Sequence, residues 1–83
     1  MEEKIRLFIE QTFLFEFGDD ITSTTDLFKA GVIDSFGYVQ LMHFLESEFA
    51  FKYSDDEFLT QILVSLDSLV DSVREKMEAN AAA

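Results

Sequence analysis

Ile5, Phe8, Ile9 and Phe13 recur at the three- and four-residue spacing of one helix face, which predicts a helix from about Glu2 to Phe15. Leu7, Leu14 and Phe17 widen its apolar stripe. Glu2 and Glu3 suit the first turn, where the helix dipole is positive. Gly18 is the expected stop, because glycine takes positive φ freely. A second helix is predicted from about Ser35 to Glu48: at about 100° per residue, Tyr38, Leu41, Met42, Leu45 and Phe49 share a core face. Phe36, Gln40, His43 and Ser47 fall opposite, with Val39 beside them.

A short third helix should begin at Asp55. Ser54 and Glu57 have the spacing of a capping box, and Tyr53 and Phe58 that of a hydrophobic staple. Phe58, Leu59 and Ile62 are then expected to face inward. The fourth helix is predicted from about Leu66 to Met77, capped by Ser65, with Val64 and Leu69 as its staple. Leu66, Leu69, Val70 and Val73 form its stripe, and Lys76 suits its C-terminal end. Between helices one and two lies a loop, residues 19 to 34, whose Ile21, Leu27, Phe28, Val32 and Ile33 should pin it across the bundle. A turn of helix around Asp26–Lys29, ended by Gly31, is expected within it. The fold class is therefore all-α: a small four-helix bundle with a long first loop and a short third helix.

Composition narrows the picture. With 83 residues the chain makes one small domain, read as residues 1 to 78 followed by a frayed tail at 79 to 83. Its 48% hydrophobic content and ten Phe supply the core that so short a chain needs. No Pro and three Gly leave no linker, repeat or low-complexity segment before the terminal Asn-Ala-Ala-Ala. The absence of Cys excludes disulfides and thiolate metal sites. No apolar run approaches the ~20 residues of a membrane span, and MEEKIRLFIEQ lacks the order of a signal peptide, so a cytoplasmic monomer is expected. A net charge of −11 repels nucleic acid and anionic lipid and favours partners with basic patches, unless it serves solubility alone. Asp19-Asp20 and Asp55-Asp56-Glu57 lack the spacing of a calcium loop and read as caps and solvated acids.

The stretch GVIDSFGYVQ, residues 31 to 40, carries the candidate chemistry. Asp34 or Ser35 would cap helix two. Nucleophilic catalysis by Ser35 would need a base within about 3 Å. The single His, His43, lies eight residues along the same helix, ~12 Å away, so a serine hydrolase ranks last of the readings. Covalent modification is the third reading: a helix N-terminus stabilises a phosphate through its free N–H groups and dipole. Phe36, exposed beside such a serine, reads as a docking contact.

GVIDSFG followed by YVQLMHFLESEF, within a chain that is short, acidic and four-helical, resembles the attachment region of acyl carrier proteins, in particular discrete acyl and aminoacyl carriers such as D-alanyl carriers, whose approach to the serine is similar to DLFKAGVIDS. The resemblance covers essentially the whole chain. It implies that Ser35 bears a 4'-phosphopantetheine arm taken from coenzyme A. Asp34 would help the phosphopantetheinyl transferase and its metal engage the site. Phe36, Val39 and His43 would meet partner enzymes, and Glu46 and Glu48 would face their basic surfaces. The implied partners are the transferase, an acyl- or aminoacyl-loading ligase, and downstream acyltransferases or synthases. The protein itself would be no enzyme. Gly37 and Gln40 stand where carriers of fatty acid synthesis usually have acids, which sets this chain apart from them. Gly37 should also loosen the first turn of helix two, by up to ~1 kcal/mol relative to Ala. Phe44, on the flank of the core face, is expected against helix three or the long loop. The competing reading is an adaptor of the same fold whose Ser35 stays unmodified and whose second helix binds a protein.

Overall fold

The computed structural model describes residues 1–82, without the side chains of Leu59 and of residues 80–82. The inward placement expected of Leu59 lies outside the described residues; of the tail expected to fray, 79 to 82 are helical and Ala83 lies outside the described residues. Four helices follow one another: α1 (Glu2–Phe13), α2 (Ser35–Phe49), α3 (Asp55–Thr60) and α4 (Leu66–Ala82). No strand occurs among the described residues. α1, α2 and α4 pack on one another, and α3 lies at their margin.

The core is the meeting of three apolar stripes. Ile5 and Ile9 of α1, Leu41, Met42 and Leu45 of α2, and Leu66, Leu69, Val70 and Val73 of α4 are all buried. The loop contributes Leu27 and Ile33. It is held by backbone bonds as well: Leu27 N–H donates to the Val64 carbonyl at 2.7 Å and Asp67 N–H to the Ser23 carbonyl at 2.9 Å. Asp26 organises the expected single turn, its Oδ1 accepting from the N–H groups of Phe28 and Lys29. Gly31, at φ 77°, ends it.

Two helices end in the same manner. α1 stops at Phe13, five residues before Gly18, because Leu14 itself turns left-handed at φ 57°. α2 stops at Phe49, close to its expected end, and Ala50 turns left-handed in the same way, φ 56°. Phe15 and Phe51 each donate back to the carbonyl five residues earlier, on Glu10 and Glu46. The carboxylates of those glutamates accept the N–H groups of Phe17 and Tyr53, at 2.9 and 2.8 Å. In both, two aromatic rings then meet edge to face: Phe15 with Phe17 and Phe51 with Tyr53. EQTFLFEF (10–17) and ESEFAFKY (46–53) are thus a local repeat, where no repeat was expected. A left-handed L-residue costs ~1–2 kcal/mol, offset here by satisfied helix-end carbonyls and a charge-assisted bond.

Other expectations are corrected by the packing. Leu7 and Leu14 lie at the surface instead of in the α1 stripe, and Ile62 is 57% exposed instead of facing inward. Phe44, expected against α3 or the loop, stacks its ring on Phe8 of α1, centroids 3.9 Å apart and planes 7° from parallel. Lys76 does not serve a helix end, since α4 runs on to Ala82. Its Nζ pairs instead with Glu57 Oε1 at 2.6 Å, tying α4 to α3. The capping box of α3 forms as its sequence predicts, with Ser54 Oγ accepting from Glu57 N–H and Glu57 Oε1 from Ser54 N–H. Phe58 packs on Tyr38, 6.0 Å between centroids.

Candidate functional site

Asp34, not Ser35, caps α2. It sits in extended backbone, and its Oδ1 accepts the Gly37 N–H at 2.7 Å. Its main-chain oxygen accepts Tyr38 N–H, the first turn's regular bond. Ser35 is the first residue of the helix and exposed. Its hydroxyl takes part in no hydrogen bond with any described residue, and neither do the N–H groups of Ser35 and Phe36. An unengaged hydroxyl therefore stands beside two unengaged donors at the positive end of a fifteen-residue helix. Asp34 Oδ2 also remains without a partner among the described residues.

Gly37 explains how this turn is fixed. It is buried, and a Cβ placed on it would lie 2.6 Å from Cε1 and 3.1 Å from Cζ of Phe13. The end of α1 thus wedges against the start of α2 where only glycine leaves room. The cost expected of Gly37 in a helix is accompanied by a packing gain that the sequence pattern did not reveal. On the next residue, Tyr38, the side chain runs inward. Its hydroxyl accepts Leu63 N–H at 3.1 Å and donates to the Gln61 carbonyl at 3.4 Å, binding the α3–α4 connection to α2. Burial pushes the Tyr38 hydroxyl above its ordinary range, and the Leu63 bond only partly opposes this.

The other candidates divide into two groups. Phe36, at 73% exposure, Val39 and His43 lie on the open side of α2, as the helical spacing requires. Glu46 and Glu48 both have partners within the chain. Glu46 accepts Tyr53 N–H, and Glu48 pairs with Lys4 of α1 at 3.0 Å. The geometry brings Asp34, Ser35 and Phe36 to one helix end and leaves Glu46 and Glu48 at the other, three turns away. Leu14, not foreseen as a site residue, is 87% exposed next to Phe13. Comparing EQTFLFEF with ESEFAFKY would have shown the repeat, but neither Leu14 nor Ala50 signals a left-handed turn. No group of three or more metal-binding side chains occurs among the described residues, and no helix is long and apolar enough to cross a membrane.

No family model matches the chain. A D-alanyl carrier protein from Streptococcus uberis is 34% identical over 79 residues, an alignment that spans 95% of this chain and 98% of that protein.

Proposed function

This chain belongs to the acyl carrier protein family, and from that membership we propose that Ser35 receives a 4'-phosphopantetheine arm on which an acyl or aminoacyl cargo is carried between partner enzymes. The relative's name gives D-alanyl as one such cargo. The observation that carries the reading is the division of labour at the α2 start: Asp34 satisfies the cap, and the Ser35 hydroxyl is left exposed and unengaged.

In the transfer, Ser35 Oγ attacks the phosphorus of coenzyme A that bears the pantetheine. A Ser35 O–P bond forms, the P–O–P bridge breaks, and adenosine 3',5'-bisphosphate leaves. The hydroxyl proton passes to a base on the transferase. The N–H groups of Ser35 and Phe36 face the place where the phosphodiester charge would rest, and the helix dipole favours that charge. Asp34 Oδ2 is free to meet the transferase or its metal. When bound, the arm supplies a thiol that holds cargo as a thioester and raises its effective concentration at each client site. The chain's own part is presentation: a rigid helix end, an apolar contact at Phe36 and Val39, and an acidic surface. The cytoplasm, where coenzyme A is made, is the proposed compartment, and a loading ligase and a downstream acyltransferase or synthase are the proposed clients.

The experiment is intact mass after incubation with coenzyme A and a broad-specificity phosphopantetheinyl transferase. Wild type should gain one arm and Ser35→Ala none, with equal helicity. An unmodified wild type under conditions that load control carriers would overturn the proposal in favour of the unmodified adaptor.

A further inference from the structure

The repeated helix ending provides an internal comparison. Leu14 and Ala50 hold the same left-handed backbone, φ 57°, ψ 55° and φ 56°, ψ 51°. Glycine or asparagine would hold it with less strain. Both positions are exposed, and Ala50 is correspondingly small. Leu14 is the exception: it is the most exposed large apolar side chain among the described residues. Folding gains nothing from that isobutyl group.

Its place on the molecule differs from that of Ala50 in one respect. Leu14 directly follows Phe13, whose ring touches the Gly37 position in the first turn of α2. With ~3.8 Å between consecutive Cα atoms, Leu14 lies within roughly 12 Å of the turn that bears Ser35. Ala50 closes the opposite end of α2, about 22 Å from Ser35 along the helix. The large side chain is on the copy of the motif beside Ser35, and the small one is on the copy far from it. The chain that follows Leu14 is acidic: Glu16, Asp19 and Asp20 are exposed, and the last turn of α1 holds no base.

We infer that Leu14 is a docking residue for the enzyme that installs the arm on Ser35, and that it fits an apolar depression rimmed by cationic side chains on that enzyme. Leu14 supplies from α1 a second apolar contact to complement Phe36 and Val39 of α2. The transferase then straddles the α1–α2 junction and reaches Ser35 between its two points of purchase. This rests on the reading of Ser35 as the attachment serine.

The test is steady-state arm transfer from coenzyme A with the carrier as the varied substrate, for wild type, Leu14→Gly, Leu14→Asn, Leu14→Met and, as control, Ala50→Gly. Leu14→Gly and Leu14→Asn should melt at or above the wild-type temperature while their KM rises about five- to tenfold, the loss of one apolar contact at an interface. Leu14→Met should retain the wild-type KM, and Ala50→Gly should leave KM unchanged. A structural role would lower stability as KM rises; the docking role raises KM while stability holds or rises. A loaded wild type whose KM is matched within about twofold by Leu14→Gly and Leu14→Asn overturns this inference and leaves the function standing. A wild type that accepts no arm overturns the function, and this inference with it.

Discussion

Lys76 Nζ stands 2.6 Å from Glu57 Oε1, and this contact joins the shortest helix to the longest. The Glu57 carboxyl is held below its ordinary value of 4.5, first by Lys76 and then by the Ser54 N–H. The unfolded chain therefore takes up the proton at higher pH than the folded chain does. The contribution of the pair is present above pH 4.5 and is lost as pH falls through the lower folded value. Lys76→Met should lower stability at neutral pH by about 0.5–1 kcal/mol, as befits a partly exposed pair. The difference between wild type and Lys76→Met, followed by thermal melts from neutral pH downward, should shrink below the ordinary value. A difference that grows with acidity would contradict this assignment. Reading the difference removes the opposing gain that acid brings by discharging other carboxylates.

Gly37→Ala sets helix propensity against space. Propensity alone would favour Ala by up to ~1 kcal/mol, but the new methyl meets the Phe13 ring at 2.6 Å. The expected outcome is a net loss of about 1 kcal/mol, within the range for overpacking. In a Phe13→Ala background the same substitution should become neutral or stabilising. Chemical denaturation of the four proteins in this cycle measures the coupling. Additive effects would mean that the ring does not set the cost.

Phe36 and Phe44 are both phenylalanines of α2, yet their substitution should differ sharply. Phe36 is open to solvent, and Phe36→Ala should change stability by no more than about 0.5 kcal/mol. Phe44 is half-buried on Phe8, so Phe44→Ala should cost about 2 kcal/mol, less than the ~3–5 of a fully buried ring. The Phe8–Phe44 coupling should fall at about 0.5–1.5 kcal/mol. Equal losses at Phe36 and Phe44 would reverse the assignment of faces.

Glu46 accepts a main-chain N–H, so its removal is expected to act on folding before it acts on any partner. Glu46→Ala should cost about 1.5 kcal/mol, the low end for a bond to a charged group. Glu46→Gln, whose amide oxygen still accepts, should cost less. Urea midpoints for the two variants decide the matter, and indifference to both would remove the carboxylate from the helix ending.

The net charge of −11 makes opposite demands on folding and association. Among the described residues three ion pairs form, at Lys4–Glu48, Asp71–Arg74 and Glu57–Lys76. Added salt should raise the melting temperature by screening the excess acids. It should also slow association with a basic partner, since steering is damped beyond ~8 Å at physiological ionic strength. Melting curves and stopped-flow association rates that both ignore salt would leave the charge as an aid to solubility alone.

Much of this was legible because it depends on one-dimensional period and local chemistry. Tyr38, Leu41, Met42 and Leu45 occupy the buried face that their spacing assigns, and Ser54 and Glu57 form the box that their spacing predicts. The Asp-Ser pair announced a helix start, although only the structure assigns the cap to Asp34. What escaped depends on which neighbour is laid against a flank. Periodicity places Phe44 at the edge of a face but cannot say that Phe8 waits there. Gly37 reads as a weak helix former until the Phe13 ring is seen against it. Leu14 contradicts local propensity, because its left-handed turn is imposed by bonds to Glu10 made from residues beyond it.

The division between Asp34 and Ser35 has a thermodynamic consequence. Because the cap belongs to Asp34, a group joined to Ser35 Oγ would break no hydrogen bond of the fold. Installing the proposed arm would then leave the cap intact, and its one link to folding would be the favourable one between the phosphodiester charge and the helix N-terminus. A cap made by the serine itself would have set installation of the arm against the first turn of α2. With the proposed cargo at the far end of the arm, the helix end would stay the same through every cycle of charge and discharge, and what successive enzymes would tell apart is the cargo, not the shape of its bearer.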